Sequence, residues 1–235
     1  MKVLVIKNIS REGPGILKNI LNENRVSYDI VDPGSGEDIP DPVEYSAVFV
    51  FGGPDSANDR TEKMIDELKK VRTAVENRIP YMGICLGMQV LVKACGGEVR
   101  KNDVKEVGFK GPDDEYFKVD ICADREKESL FNGLGNSLKI FHLHGETVAL
   151  TDEIELLATG KFCRYQIVKV GENAYGVQGH FELTPEMLDL WLENDPDLKE
   201  LERDEIRNDF QMILEEYTTN AEKLFTNFLR IAGII

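Results

Sequence analysis

One short run constrains this chain more than any other: Gly83-Ile84-Cys85-Leu86-Gly87. It joins an apolar stretch, Pro80–Ile84, to a helix-like stretch, Leu86–Ala94. Glycine on both sides of a nucleophilic residue, at a strand-to-helix junction, is the pattern of a nucleophile elbow. A turn that sharp leaves no room for neighbouring side chains. It lifts the central residue to the carboxyl edge of a sheet, where α/β folds place their sites. A thiol there faces a helix N-terminus, whose partial positive charge favours the thiolate. The backbone N–H of Leu86 is positioned to stabilise an oxyanion.

The flanking sequence agrees with such a fold. Lys2–Ile6, Tyr28–Val31 and the uninterrupted Ala47–Phe51 read as strands, the last buried on both faces. Between them, Pro14–Glu23 reads as a helix with proline at its first position. Met64, Leu68, Val71 and Val75 mark one face of a helix over Thr61–Asn77. Strand–helix alternation implies a parallel sheet covered on both faces. From Glu98 to Ala158 the pattern changes. Val107–Phe109, Tyr116–Ile121, Leu138–Phe141 and Glu155–Ala158 predict antiparallel strands added to the main sheet. Arg164–Val170 and Ala174–Val177 predict a hairpin around Gly171-Glu172-Asn173. Thr184-Pro185-Glu186 reads as a helix start. Farther on, Ile206, Phe210, Ile213, Tyr217, Ala221, Leu224 and Phe228 keep helical spacing. Their expected role is packing on the core; a homo-oligomer interface is the sharper alternative. Residues 1–235 read as one domain, with a helical C-terminal extension from about 184 to 235.

Several classes fall away. Lys and Arg number 28 against 43 Asp and Glu, a formal charge of −15. No basic patch for nucleic acid follows from that balance, nor docking on an anionic membrane. No apolar run is long enough for a membrane span, and Met1–Ile6 is too short for a secretory signal. Cys85, Cys95, Cys122 and Cys163 contain no CxxC pair, so reduced thiols in the cytoplasm are expected. There is no GxxxxGK[ST] phosphate loop.

A thiol nucleophile needs a base and an orienting group. The histidines are His142, His144 and His180. His180-Phe181-Glu182 follows the apolar Ala174–Val177, and residues two apart in an extended segment point the same way. Glu182 can thus hold the His180 tautomer and stabilise the imidazolium. His142-x-His144 offers two metal-type ligands without a visible third, so no metal is expected.

Three motifs, in order, resemble those of class I, triad-type glutamine amidotransferases. They are Phe51-Gly52-Gly53-Pro54, Pro80-Tyr81-Met82-Gly83-Ile84-Cys85-Leu86-Gly87-Met88-Gln89 and Gln178-Gly179-His180-Phe181-Glu182. Gly13-Pro14-Gly15, Lys105-Glu106-Val107-Gly108 and His144-Gly145-Glu146-Thr147 further resemble stand-alone proteins similar to the amidotransferase part of GMP synthase. The resemblance implies a flavodoxin-like three-layer αβα sandwich and a Cys85–His180–Glu182 triad. It implies an oxyanion hole from Gly53 and Leu86, and substrate binding by Gln89, His144, Gly145 and Glu146. No cofactor is implied. The implied reaction is hydrolysis of the glutamine γ-amide through a γ-glutamyl thioester. The ammonia would pass to a separate synthase in trans, since no synthase domain follows. A γ-glutamyl peptidase using the same triad, and a catalytically silent binding protein on the same fold, remain open. The family usually carries proline between the His and the Glu; Phe181 removes that restraint on φ.

Overall fold

The computed structural model describes residues 1–235. The chain runs through β1 (Lys2–Ile6), α1 (Gly15–Glu23), β2 (Ser27–Val31), β3 (Ala47–Val50), α2 (Glu62–Glu76), β4 (Tyr81–Ile84) and α3 (Leu86–Ala94). It continues through β5 (Glu98–Gly108), β6 (Lys118–Ile121), β7 (Ser137–Lys139), β8 (His142–Ala149) and β9 (Ile154–Thr159). The last elements are β10 (Ile167–Val170), β11 (Ala174–Val177), α4 (Pro185–Asn194) and α5 (Arg203–Ile231).

Nine strands form one sheet in the order β2-β1-β3-β4-β11-β10-β9-β6-β7. The first five pair in parallel, and the remaining pairings are antiparallel. The parallel part follows the flavodoxin-like order. Within it β1, β3, β4 and β11 are buried on both faces while β2 forms the partly exposed edge, and the buried side chains sort by parity. Val3, Val5, Ala47 and Phe49 join one core with α1, α4 and α5. Leu4, Ile6, Val48 and Val50 join a second core with α2 and α3. The three-layer sandwich expected from the sequence is therefore the architecture present.

Local signals explain most boundaries. Thr61 caps α2 by accepting from Met64 N–H, and Thr184 caps α4 by accepting from Met187 N–H, with Pro185 at the first helical position. Pro14, expected at the first position of α1, is instead its cap residue; the helix begins at Gly15. Gly15 has φ +43°, and a Cβ there would lie 1.9 Å from the Glu182 carbonyl oxygen. Only glycine allows α1 to approach so closely, and the Ile16 N–H then donates to that carbonyl at 2.9 Å.

The middle of the chain departs from expectation. β6, β7 and β9 do join the main sheet, but β5 and β8 form a separate two-stranded ribbon. Val107–Phe109 is the tail of a strand that begins at Glu98. That strand reads Glu-Val-Arg-Lys-Asn-Asp-Val-Lys-Glu-Val-Gly, with few buried positions. Its order comes from hydrogen bonding to β8 rather than from an apolar face, so hydropathy does not reveal it. Phe141 ends no strand; it makes an isolated bridge to His180.

α5 carries its expected apolar face. Ile206, Phe210, Ile213, Tyr217, Ala221, Leu224 and Phe228 are all buried within this chain, so the face serves the core and not another copy.

A second close backbone approach is at α3. A Cβ on Gly87 would lie 2.2 Å from the Val50 carbonyl oxygen, and one on Gly83 would lie 2.3 Å from the Gly87 backbone. Both obstacles are backbone. Gly87→Ala is expected to destabilise the chain by about 3 kcal/mol or more, read from urea unfolding. A loss below about 1 kcal/mol would mean that α3 can lift off the sheet.

Candidate active site

The carboxyl ends of β1, β3, β4 and β11 meet below one cavity of about 660 Å³. Cys85, between β4 and α3, has φ +52°. A non-glycine residue in this region carries strain of order 1–3 kcal/mol. The conformation is held by the Cys85 N–H donating to Val177 O at 2.7 Å and by the close seat of α3. Tyr81, wholly buried, donates its hydroxyl to Gly87 O at 2.8 Å and ties strand to helix.

His180 follows β11 and faces the same cavity. Its Nδ1 lies 2.7 Å from Glu182 Oε1. Since the carboxylate accepts, Nδ1 carries the proton and Nε2, which has no hydrogen-bond partner in the chain, is left for chemistry. Burial alone would pull the imidazole pKa down. The Glu182 charge and the Cys85 thiol outweigh it and hold His180 well above its ordinary value. Glu182 is itself fully buried, so the charge beside His180 is barely screened by water.

The place of the usual proline is filled by packing. Phe181 is fully buried and lies against Tyr217 of α5, ring centroids 6.1 Å apart. The Tyr217 hydroxyl donates to His180 O at 2.7 Å and accepts from Leu183 N–H at 3.3 Å. Trp191 of α4 sets its ring edge-on to the imidazole at 5.0 Å. Two C-terminal helices thus clamp the segment that carries His180 and Glu182.

The other residues expected at the site also gather here. Gly53, Leu86, Gln89, His144, Gly145 and Glu146 all line the cavity. Leu86 opens α3, where backbone N–H groups lack intrahelical partners. Gly53 rests on Asn8, whose Nδ2 donates to Phe51 O at 3.3 Å and to the buried Glu67 at 2.8 Å. Gln89 Nε2 donates to Glu146 O at 3.3 Å and to Gln178 Oε1 at 3.4 Å. His144 spends Nδ1 on Glu146 O at 2.9 Å, and its Nε2 lies beside Glu106. The ring of His144 therefore holds Glu146 rather than presenting a nitrogen to a ligand in this cavity.

Further residues of the site had no role assigned from the sequence. Gln178 Nε2 lies 3.8 Å from the Cys85 sulfur. Arg11 reaches Asp195 at 2.8 Å, and Lys105 reaches Asp197 at 2.5 Å, drawing the turn after α4 over the cavity. Glu12 lines the cavity with Oε2 unpartnered. A Cβ on Gly52 would lie 2.7 Å from that oxygen and 3.1 Å from His180 Cε1. Glu12 and the His180 ring therefore both lie against Gly52. A periodicity search passes over Glu12 because it lies in a loop. A third buried ligand for the His142–His144 pair also exists, contrary to expectation: Glu106 of β5.

Known proteins resemble this chain in sequence and in fold. The family model described as glutamine amidotransferase class-I matches residues 15–195. The putative glutamine amidotransferase-like protein YfeJ of Salmonella typhimurium is 31% identical over 64% of this chain and 62% of its own length. A glutamine-hydrolysing GMP synthase of Borreliella burgdorferi is 31% identical over 59% of this chain and 25% of its own length. The chain thus spans less than two thirds of either relative. One subunit of a glutamine-hydrolysing GMP synthase from Methanosphaera stadtmanae is 26% identical over 78% of this chain and 89% of its own. Among solved structures, a glutamine amidotransferase of Thermotoga maritima superposes with a TM-score of 0.84 at 23% identity, over 99% of this chain and 98% of the other. At that identity the likeness speaks for the fold.

Two outcomes follow from the clamp and from Glu12. Tyr217→Phe keeps the ring and deletes both hydroxyl contacts. It should cost about 1–2 kcal/mol in urea unfolding. Burial, partly opposed by His180, pushes the Glu12 carboxyl up to about 7 from 4.5. The folded chain thus binds this proton more tightly than the unfolded chain, and stability falls as pH rises from about 4.5 to about 7. Glu12→Gln cannot ionise. It should exceed the parent at pH 8 by on the order of 2–3 kcal/mol, with the gap closing toward about pH 4.5. An equal gap at both pH values would contradict the assignment.

Proposed function

Because the chain belongs to the class-I glutamine amidotransferase family, we propose that it hydrolyses the γ-amide of glutamine through Cys85, His180 and Glu182. The observation that carries the reading is the buried His180–Glu182 contact of 2.7 Å on the same cavity as Cys85.

His180, held well above its ordinary value, carries the Cys85 proton on Nε2, and the Cys85 thiolate attacks the γ-carbonyl carbon. The carbonyl π electrons move onto oxygen, where backbone N–H groups of Gly53 and Leu86 stabilise the charge. Glu182 keeps the imidazole in the required tautomer and stabilises its charged form. His180 returns the proton to the leaving nitrogen, the C–N bond breaks, and ammonia departs from a γ-glutamyl thioester. Water then attacks the thioester carbon and gives its proton to His180. The C–S bond breaks, releasing glutamate and restoring the thiolate beside the protonated His180. Gln89 and Glu146, with Gly145 between the latter and His144, bind the amino-acid end of the substrate.

Relatives named as one subunit of a glutamine-hydrolysing GMP synthase support a partner that consumes the ammonia. A second reading has its own support. The cavity falls within the range of about 300–1,000 Å³ that accommodates drug-sized ligands. Space beyond a bound glutamine would admit the leaving group of a γ-glutamyl peptide.

The test is glutamate release from glutamine and from γ-glutamyl dipeptides. Glutamine is expected to be the better substrate, and Cys85→Ala to lower turnover by at least about 10³-fold with the fold retained. A preference for dipeptides would establish the peptidase reading. Substantial turnover by Cys85→Ala would rule out the thioester.

A further inference from the structure

Glu106, His142 and His144 form a cluster that the reaction above does not use. Their ligand atoms lie within 4.8 Å of one another, and all three side chains are buried. His144 and His142 project from β8 on the same side, two residues apart; Glu106 faces them from β5.

The tautomers follow from the neighbours. His144 Nδ1 faces the Glu146 carbonyl at 2.9 Å, so Nδ1 carries the hydrogen. Its Nε2 then presents a lone pair. The Glu106 carboxylate lies 2.8 Å from that Nε2 without forming a directed hydrogen bond to it. Two electron-rich atoms this close in the interior require a cation. A shared proton could serve that one pair. It would leave His142 unexplained: both of its ring nitrogens are buried without a partner, and Nε2 is 4.0 Å from the same Glu106 oxygen. An unpaired buried polar group is costly. Gln166 Oε1 is a further unpartnered buried atom, on a side chain whose Nε2 is 3.5 Å from Glu106.

We propose that Glu106, His142 and His144 bind a divalent transition-metal ion of the zinc class, which clamps β5 to β8 behind the active-site wall. Two imidazoles and a carboxylate are a donor set that zinc accepts, leaving one position for water or for the Gln166 amide oxygen. Zinc–ligand bonds of about 2.0–2.2 Å put neighbouring ligand atoms roughly 3.3–3.5 Å apart. The 2.8 and 4.0 Å separations bracket that spacing and no ligand pair exceeds 4.8 Å, so side-chain shifts of about an ångström suffice. The His144 Nδ1–H to Glu146 O bond is the outer contact that metal-bound histidines usually make. A route for a cation exists: Glu106 also lines a second cavity of about 200 Å³ that carries Asp113, Glu115 and Asp120. The ion would fix His144, and through it Glu146, on the wall of the first cavity. This inference does not rest on the glutaminase reading.

The experiment titrates Zn²⁺ into chelator-treated full-length protein carrying Cys85→Ala, so that the reactive thiol cannot capture the ion. One equivalent should bind. His142→Phe and Glu106→Gln, made in that background and shown by near-UV circular dichroism to keep the fold, should each weaken binding at least about 100-fold. Co²⁺ should give the visible band of a four-coordinate nitrogen–oxygen site with no thiolate charge-transfer band; this readout needs no ligand variant and survives a variant that fails to fold. Absence of binding, undiminished binding by His142→Phe, or a thiolate band would each overturn the proposal. Failure of the zinc-bound parent chain, with Cys85 intact, to hydrolyse glutamine would count against the glutaminase reading alone.

Discussion

The structure turns on the packing of α3 against the ends of β3 and β4. Gly83 and Gly87 bring backbone against backbone at distances that no side chain could share. That contact forces Cys85 into φ +52°, a conformation costly for a residue with a Cβ. The strain is sustained because the neighbours are fixed: Val177 O receives the Cys85 N–H, and Tyr81 reaches over to Gly87 O. Once the thiol is placed, the sheet order decides what it can meet. β11 lies next to β4 in parallel, so the residues that follow β11 emerge beside Cys85.

A second constraint acts from the opposite layer. The segment His180-Phe181-Glu182 is irregular, yet it must hold a buried carboxylate against an imidazole. Phe181 cannot fix the backbone by its own covalent geometry as proline would. Tyr217 and Trp191 supply the restraint from α5 and α4, and α1 adds a backbone hydrogen bond to Glu182 O. The C-terminal helices are thus part of the site's frame, although their sequence reads only as core packing. The same burial that makes the Glu182 charge effective leaves Glu12 and Glu67 with carboxyls pushed up to about 7.

The β5–β8 ribbon forms the remaining wall. It contributes Lys105, His144 and Glu146 to the cavity, and carries Glu106 and His142 behind it, from two strands that do not belong to the main sheet. Lys105 also reaches Asp197 in the turn after α4, while Arg11 reaches Asp195 from the loop after β1. The cavity is consequently bounded by parts of the chain as far as 184 residues apart, joined by ion pairs at its rim.

The sequence by itself determined the elbow, the parallel strands and helices around it, the hairpin of β10 and β11, and the triad candidates. Each is a local pattern: glycines flanking a cysteine, an apolar run buried on both faces, a cap followed by a periodic face, two residues on one side of an extended segment. Burial forces such patterns into short windows of sequence, where they can be read. The tertiary structure alone decided the rest. β5 is ordered by its partner strand and not by hydropathy, so only its tail from Val107 announced a strand. Glu106 joined His142 and His144 across a register that spacing cannot foretell, and Glu12 came to line the same cavity as His180 from a loop without periodicity. Tyr217 looked like any other apolar-face residue until its hydroxyl met His180 O. Polar groups acquire their meaning from partners distant in the chain, and only folding chooses those partners.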